Sequence, residues 1–171
     1  MKFFSGFCLQ NEQELFEAFL NKSDYTVAGF SYGAQQAVEY AMHCTQRIDR
    51  LILLSPAFFN MQPKSFIRAQ LHYFSADKTK YMQNFLANIC LPNSKIDILK
   101  YFTDGNAAQL DELLCYKWNE EKLMSLKKRG IQIEVFLGDE DKIIDSKAAF
   151  VFFSKYATIY LIKNVGHLLD V

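Results

Sequence analysis

Residues 29–33 read Gly-Phe-Ser-Tyr-Gly, a G-x-S-x-G pattern centred on Ser31. A serine that acts as a nucleophile must stand on a tight turn with its hydroxyl exposed, and glycines on either side let a strand and a helix approach each other there. The pattern is short, but it lies between a strand-like run, residues 25–30, and a helical stripe of apolar residues from 34 to 42. The sequence therefore predicts a nucleophilic serine at Ser31.

A serine hydroxyl is a poor nucleophile until a neighbouring base takes its proton, and histidine has the pKa best suited to that task near neutrality. The chain has three histidines. His167 follows the last predicted strand, which would place it on a loop at the same sheet edge as Ser31. His43 lies near the end of the helix after Ser31, and His72 lies in a helical segment between strands. The sequence favours His167 as the general base.

The acid that orients such a histidine is expected between the serine and the histidine in the chain. Residues 138–143 read Gly-Asp-Glu-Asp-Lys-Ile and follow the penultimate predicted strand, so they are the nearest source of carboxylates. Asp141 is the preferred candidate and Asp139 is its rival. Asp145 fits better as the N-cap of the next helix. An acidic loop tip is also commonly just a solvated turn.

Acyl transfer also needs N–H donors aimed at the oxygen that becomes negatively charged. One donor is expected from the backbone N–H of Tyr32, directly after the nucleophile, and another from the loop after the first strand. Phe7, which follows Ser5-Gly6, is the candidate for this second donor. Both roles belong to the backbone, so side-chain types cannot test them.

The elements that must position these residues alternate between strand and helix. Short apolar or alternating runs predict five strands, one beginning near residue 3 and the others at residues 25–30, 51–54, 131–137 and 158–162. Helical spacing predicts helices over residues 12–20, 34–42 and 146–156. This order is typical of an α/β protein, and we expect about five mostly parallel strands with helices on both faces.

The strand rhythm stops between residues 57 and 128, where helical, aromatic-rich segments cover residues 66–74, 80–89 and 107–128. In a strand–helix chain, such an insertion after the third strand belongs over the carboxyl ends of the strands, where ligands enter. The sequence predicts one compact domain, with a catalytic core of residues 1–56 and 129–171 and a helical lid of residues 57–128. Five lid aromatics are expected to pack its interior, with the lining of an acyl channel as the alternative for some of them: Phe58, Phe59, Phe66, Tyr73 and Phe74.

Composition excludes several classes of function. Lys plus Arg and Asp plus Glu both number 19, so no overall charge favours nucleic acid or a membrane surface. The four cysteines are widely spread, without a CxxC pair or a His cluster at metal-ligand spacing, and are expected to be reduced core thiols. No apolar run reaches the roughly 18 residues of a membrane span, and no signal-peptide cleavage site is recognisable. We expect a cytoplasmic monomer with no metal and no cofactor.

Residues 5–7 (Ser-Gly-Phe), the motif of residues 29–33, the acid loop of residues 138–144 and residues 166–167 (Gly-His) resemble the α/β-hydrolase superfamily across the whole chain. Within it, the chain is similar to the short pimelyl-acyl-carrier-protein methyl ester esterases of biotin synthesis, the BioV type related to BioH. This closer likeness includes the Phe-Phe-Ser-Gly-Phe start, the early serine motif and the Ile-Glu-Val-Phe run before the acid loop. The resemblance implies hydrolysis of the methyl ester of pimeloyl-acyl carrier protein, with release of methanol.

The chain departs from the larger superfamily pattern in several places. The first two strands and one further strand–helix unit are missing, and Ser5-Gly6 stands where the usual pattern has His-Gly. These departures leave the three triad candidates untouched. They bear on the outer sheet edge and on the second oxyanion donor.

An acidic acyl carrier protein would be attracted by a basic surface. Residues 61–100 carry six Lys or Arg and two Asp, and Lys64 and Arg68 lie four apart on one predicted helix face. They are the candidates for contact with the carrier, and a merely solvated helix face is the alternative. Two other functions remain open: an acyl thioesterase or general carboxylesterase with the same triad, and a non-catalytic binding protein on the same scaffold.

Overall fold

The computed structural model describes residues 1–92 and 94–170. Its centre is one sheet of five parallel strands in the order β1-β2-β3-β4-β5. The strands are β1 (Lys2–Phe4), β2 (Thr26–Phe30), β3 (Arg50–Leu54), β4 (Gln132–Gly138) and β5 (Thr158–Ile162). Consecutive strands are neighbours, with Phe30 opposite Leu54 and Leu54 opposite Phe136. The predicted α/β architecture with about five strands is confirmed, and all five strands are parallel.

Six α-helices flank the sheet in the described part of the chain. They are α1 (Tyr32–His43), α2 (Lys64–Ala76), α3 (Lys78–Ile89), α4 (Ala107–Cys115), α5 (Glu120–Lys128) and α6 (Ser146–Phe153). Helices α2 to α5 come between β3 and β4, where the insertion was predicted. Across residues 1–92 and 94–170, none of the helices has the length and apolar character needed to cross a lipid bilayer.

Both faces of the sheet are covered by packed side chains. Alternate residues of its central strands point to opposite sides and so belong to two different cores. Leu51 and Leu53 of β3 belong to a core that they share with α1, α5 and α6, whereas Ile52 and Leu54 belong to a second core. The second core includes Phe16 and the end of α3. A strand that is buried on both faces does not alternate apolar and polar residues, which explains the continuous apolar run in β3.

Two local predictions differ from the structure. Residues 12–20 do not form a continuous α-helix; a 3-10 helix covers only Glu12–Phe16, and Glu12 at its start is turned inward to accept the Gly6 N–H. The helical segment predicted for residues 107–128 is two helices, α4 and α5. They are separate because Asn119 begins a new helix by accepting the N–H of Glu121 at 2.7 Å.

The prediction of core thiols holds for one of the four free cysteines. Cys8 is buried, and burial raises the pKa of its thiol to about 12. Cys44 and Cys90 are half-buried, and Cys115 is exposed. Cys115 lies at the end of α4 on its solvent side, where its thiol donates to Asp111 at 3.3 Å.

Buried polar contacts tie the lid to α1. The Gln35 side chain donates from Nε2 to the carbonyl oxygens of Ala57 at 2.9 Å and Leu113 at 3.0 Å. The Trp118 indole N–H also donates to the Ala57 carbonyl, at 2.8 Å. Because breaking a buried hydrogen bond leaves an unpaired polar group, these contacts fix α4 and the end of β3 against the helix that follows Ser31.

Candidate active site

Ser31 lies at the turn between β2 and α1, with φ 54° and ψ −112°. A positive φ is uncommon for a residue with a side chain, and two hydrogen bonds hold it here. The Ser31 N–H donates to the Leu54 carbonyl at 2.9 Å, and the Ser31 carbonyl accepts the Ala57 N–H at 3.1 Å. A Cβ on Gly33 would overlap the Phe4 carbonyl oxygen. The absence of that Cβ lets α1 begin against the end of β1, beside the nucleophile.

Two hydrogen bonds join the three residues predicted to form the triad. His167 Nε2 lies 2.9 Å from Ser31 Oγ, and His167 Nδ1 lies 2.6 Å from Asp141 Oδ2. The His167 and Asp141 side chains are fully buried, and Ser31 is 2% exposed. When the Nδ1 proton is donated to the carboxylate, Nε2 can accept the Ser31 hydroxyl proton. The structure therefore brings together a serine hydroxyl, an imidazole and a carboxylate in the hydrogen-bonding order expected of a catalytic triad.

The three candidate aspartates have different partners. Asp141 Oδ1 accepts two backbone N–H groups of its own loop, at 2.7 and 3.1 Å, which leaves Oδ2 for His167. Asp139 is exposed and instead accepts the Asn164 N–H at 2.8 Å. Asp145 caps the start of α6. Only the first arrangement orients the histidine.

The loop that carries His167 is held by a residue that sequence reasoning missed. Ser55, directly after β3, is buried and donates its hydroxyl to the His167 carbonyl oxygen at 2.7 Å. Gly138 packs against Gly166, since a Cβ on Gly138 would overlap the Gly166 carbonyl oxygen. The centroid of the Phe30 ring lies 5.1 Å from the centroid of the His167 imidazole. The only signal for Ser55 in the sequence was its position after a buried strand at the same sheet edge.

The other two histidines lie on the surface. His43 ends α1, and its Nε2 is 3.9 Å from the Glu39 carboxylate. His72 is exposed on α2. Because both side chains face solvent, neither competes with His167 for the Ser31 hydroxyl.

The two predicted oxyanion donors lie at the start of α1, directly after Ser31, and on the loop that follows β1. Tyr32 is the first residue of α1, where N–H groups have no partner within the helix. Phe7 lies in the turn after β1 and lines the same cavity as Ser31. Within residues 1–92 and 94–170, neither N–H has a protein acceptor. The free N–H of Tyr32 at the start of α1 favours a negatively charged oxygen. Phe7 and Tyr32 remain the predicted donors.

The Tyr32 side chain ties the nucleophile turn to the lid. Its phenol donates to Glu112 Oε2 on α4 at 2.8 Å. Burial, with a further contribution from the hydrogen bond to Glu112, raises the pKa of the Tyr32 phenol to about 12. The phenol therefore remains a donor at neutral pH, and it links Tyr32, the residue after Ser31, to α4.

A cavity of about 900 Å³ opens onto Ser31, a volume within the range of small-molecule sites. Its walls come from Phe7 in the loop after β1, from the acid loop and from α2, α3 and α4. Apolar side chains line much of it, among them Phe59, Phe66, Leu113 and Ile144. Phe58 and Phe74 are buried as predicted, whereas Tyr73 is 59% exposed and lines the cavity, because its position on α2 faces the opening.

Lys64 and Arg68 are both exposed on α2. Because an α-helix turns by about 100° per residue, they lie on the face opposite to Phe66 and Gln70, which line the cavity. Lys80 of α3 lines the cavity itself. The structure therefore places Lys64 and Arg68 on the outer surface of residues 57–128, away from Ser31.

No protein-family model matches the sequence, and no curated protein is similar to it in sequence. Among solved structures, the fold is similar to carboxylesterase CesB from Bacillus subtilis, with a TM-score of 0.55 and 17% identity over 92% of this chain and 57% of that one. MenH from S. aureus gives a TM-score of 0.61 and 14% identity, over 98% and 86% of the two chains. BioG from Haemophilus influenzae gives a TM-score of 0.62 and 12% identity, over 97% of this chain and 87% of that one. The chain thus spans little more than half of CesB and most of MenH and BioG.

An activated Ser31 should react with a fluorophosphonate, which phosphonylates serine hydroxyls that a neighbouring base deprotonates. We expect Ser31→Ala to abolish labelling and Asp141→Asn to slow it by on the order of 10²-fold or more, because an amide cannot hold His167 in the required tautomer. The matched variant Asp139→Asn should label at a rate close to wild type. Intact-protein mass spectrometry over time measures these rates. Slower labelling of Asp139→Asn than of Asp141→Asn would identify Asp139 as the acid.

Proposed function

We propose that this chain, which has the α/β-hydrolase fold, is a serine hydrolase that cleaves carboxylic ester bonds. The observation that carries the proposal is the buried chain of hydrogen bonds from Asp141 through His167 to Ser31, at 2.6 and 2.9 Å. A cavity opens directly onto the serine, so a carbonyl carbon can reach the hydroxyl.

In the proposed reaction, Ser31 Oγ attacks the ester carbonyl while His167 Nε2 accepts the hydroxyl proton. The carbonyl oxygen becomes negatively charged, and the N–H groups of Phe7 and Tyr32 stabilise it. Asp141 stabilises the imidazolium and holds its Nδ1 proton. Each group acts on charge that develops only during the reaction, which is where stabilisation lowers the barrier.

Breakdown of the tetrahedral intermediate needs a proton on the leaving oxygen. His167 donates that proton, the alcohol departs, and the acyl group stays on Ser31 as an ester. Water then attacks this acyl-enzyme with His167 again as the base. The carboxylic acid leaves and Ser31 regains its hydroxyl.

As the substrate we propose the methyl ester of pimeloyl-acyl carrier protein, which would give pimeloyl-acyl carrier protein and methanol. The resemblance of the Phe-Phe-Ser-Gly-Phe segment, the early serine motif and the Ile-Glu-Val-Phe run before the acid loop to the short esterases supports this choice. The apolar lining of the cavity suits the methylene chain of a pimeloyl group. Asn84 and Asn88, one helical turn apart on α3, also line the cavity and offer amides to the polar arm between acyl chain and carrier.

The basic outer face of α2 supports an acidic protein partner. Lys64 and Arg68 are exposed, and among residues 1–92 and 94–170 neither forms an ion pair with a carboxylate. In the same segment, Lys78 and Lys100 are already paired with acidic side chains. Lys64 and Arg68 therefore have charges available for a carrier protein.

Product analysis tests the proposal. Purified protein is incubated with the methyl ester of pimeloyl-acyl carrier protein, with Ser31→Ala as the control. We expect methanol and a carrier that keeps its thioester but has lost the methyl group. A free carrier thiol would instead identify a thioesterase. Cleavage of small esters alone would identify a general carboxylesterase, and a folded protein that cleaves nothing would be a binding protein.

Charge reversal on α2 tests the carrier partner. Lys64→Glu/Arg68→Glu should raise KM for the carrier-linked ester by on the order of tenfold at low salt, with little change in kcat, because a docking contact is lost. Hydrolysis of p-nitrophenyl acetate should be unchanged. Lys127→Glu/Lys128→Glu on α5 is the control with an equal change of charge. Equal KM effects in both double variants would argue against docking on α2, and no effect in either would remove Lys64 and Arg68 from the interface.

A further inference from the structure

Glu12 carries a buried carboxyl group next to the loop that follows β1, and across residues 1–92 and 94–170 it forms no ion pair. Its side chain is 0% exposed, and Oε1 accepts the Gly6 N–H at 2.7 Å. In the described part of the chain, Oε2 is the one buried side-chain oxygen without a hydrogen-bond partner. Burial raises the pKa of Glu12, which favours the neutral acid. Burying a carboxyl group with one unpaired oxygen is unfavourable for folding.

The partner of Glu12 directly precedes the predicted oxyanion donor. A Cβ on Gly6 would lie 2.8 Å from the Phe30 ring, so this position has no room for a side chain. No side chain of its own therefore restrains its backbone. Glycine has wide conformational freedom, and its backbone must be held by other groups. Glu12 holds the Gly6 N–H, and the Leu9 N–H donates to the Gly6 carbonyl at 3.1 Å. Both peptide units of Gly6 are therefore fixed.

These two bonds also fix the Phe7 N–H. A peptide unit is planar, so the carbonyl of Gly6 and the N–H of Phe7 lie in one plane and turn together. Rotation about the covalent backbone bonds of Gly6 would turn that plane. The hydrogen bond from the Gly6 N–H to Glu12 opposes this rotation, because it holds the peptide unit that precedes Gly6. An oxyanion donor is effective only when it is already aimed at the developing charge.

We propose that Glu12 is a positioning residue, which holds the Gly6 peptide and so aims the Phe7 N–H at the oxyanion; this inference rests on the proposed esterase function. The direction of the pKa shift of Glu12 suits this position, because protonation removes a negative charge that would oppose the developing one. A neutral acid still accepts the Gly6 N–H through its carbonyl oxygen. An amide at the same position would do the same.

The test compares variants that keep or lose the acceptor. Glu12→Gln retains an oxygen of the same reach, and Glu12→Met fills a similar volume without an acceptor. With p-nitrophenyl acetate, we expect Glu12→Met to lower kcat by about 10- to 100-fold with KM nearly unchanged, since part of one oxyanion donor is lost. Glu12→Gln should restore kcat close to wild type. Gln13→Ala, exposed on the same 3-10 helix, is the control and should match wild type.

Two further measurements separate positioning from folding. Rates are divided by the concentration of sites that react with fluorophosphonate, and affinity for a boronic acid that forms a tetrahedral serine adduct is measured beside them. Boronic acid affinity should fall in parallel with kcat. Glu12→Asp, one methylene too short to reach Gly6, gives the same test if Glu12→Met does not fold. Unchanged kcat per reactive site in the folded variants, or loss of kcat in Glu12→Gln, would overturn the proposal. Absence of Ser31-dependent hydrolysis in wild type would instead overturn the esterase function.

Discussion

The close approach of α1 to the end of β1 determines the geometry of the site. Gly33 lies against the Phe4 carbonyl, where a Cβ would overlap it, and this contact places the Ser31 turn beside the loop that follows β1. This glycine therefore brings the segment that carries Ser31 against the segment that leads to Phe7, the predicted oxyanion donor. The positive φ of Ser31 persists because hydrogen bonds to Leu54 and Ala57 hold the turn on both sides. The strained backbone conformation of Ser31 is thus stabilised by its hydrogen bond to Leu54 at the end of β3.

A parallel sheet explains why much of the site could be predicted from sequence. All strands end at the same edge, so the residues that follow β2, β4 and β5 converge there. Position along the chain was therefore enough to select Ser31, Asp141 and His167 as candidates. The strands themselves were recognisable because their central members are buried on both faces and are continuously apolar.

Contacts between distant, chemically ordinary residues could not be predicted. Ser55 donates to the His167 carbonyl across 112 positions of sequence, and nothing distinguishes its hydroxyl from that of a surface serine. Glu12 belongs to a segment whose apolar spacing indicates a helix, yet it turns inward to Gly6. The same holds for Gln35, whose amide joins α1 to Ala57 and Leu113. Such polar groups acquire their roles only when folding removes them from water.

The most direct test of the account is the acyl-enzyme that Ser31 must form. Protein mixed with p-nitrophenyl acetate is quenched in acid at short times, digested and examined by mass spectrometry. We expect one acetyl group on the peptide that contains Ser31, appearing and decaying at rates that account for steady-state turnover. Turnover without acetylated Ser31, or acetylation of another residue at the catalytic rate, would contradict the assignment of Ser31 as the nucleophile.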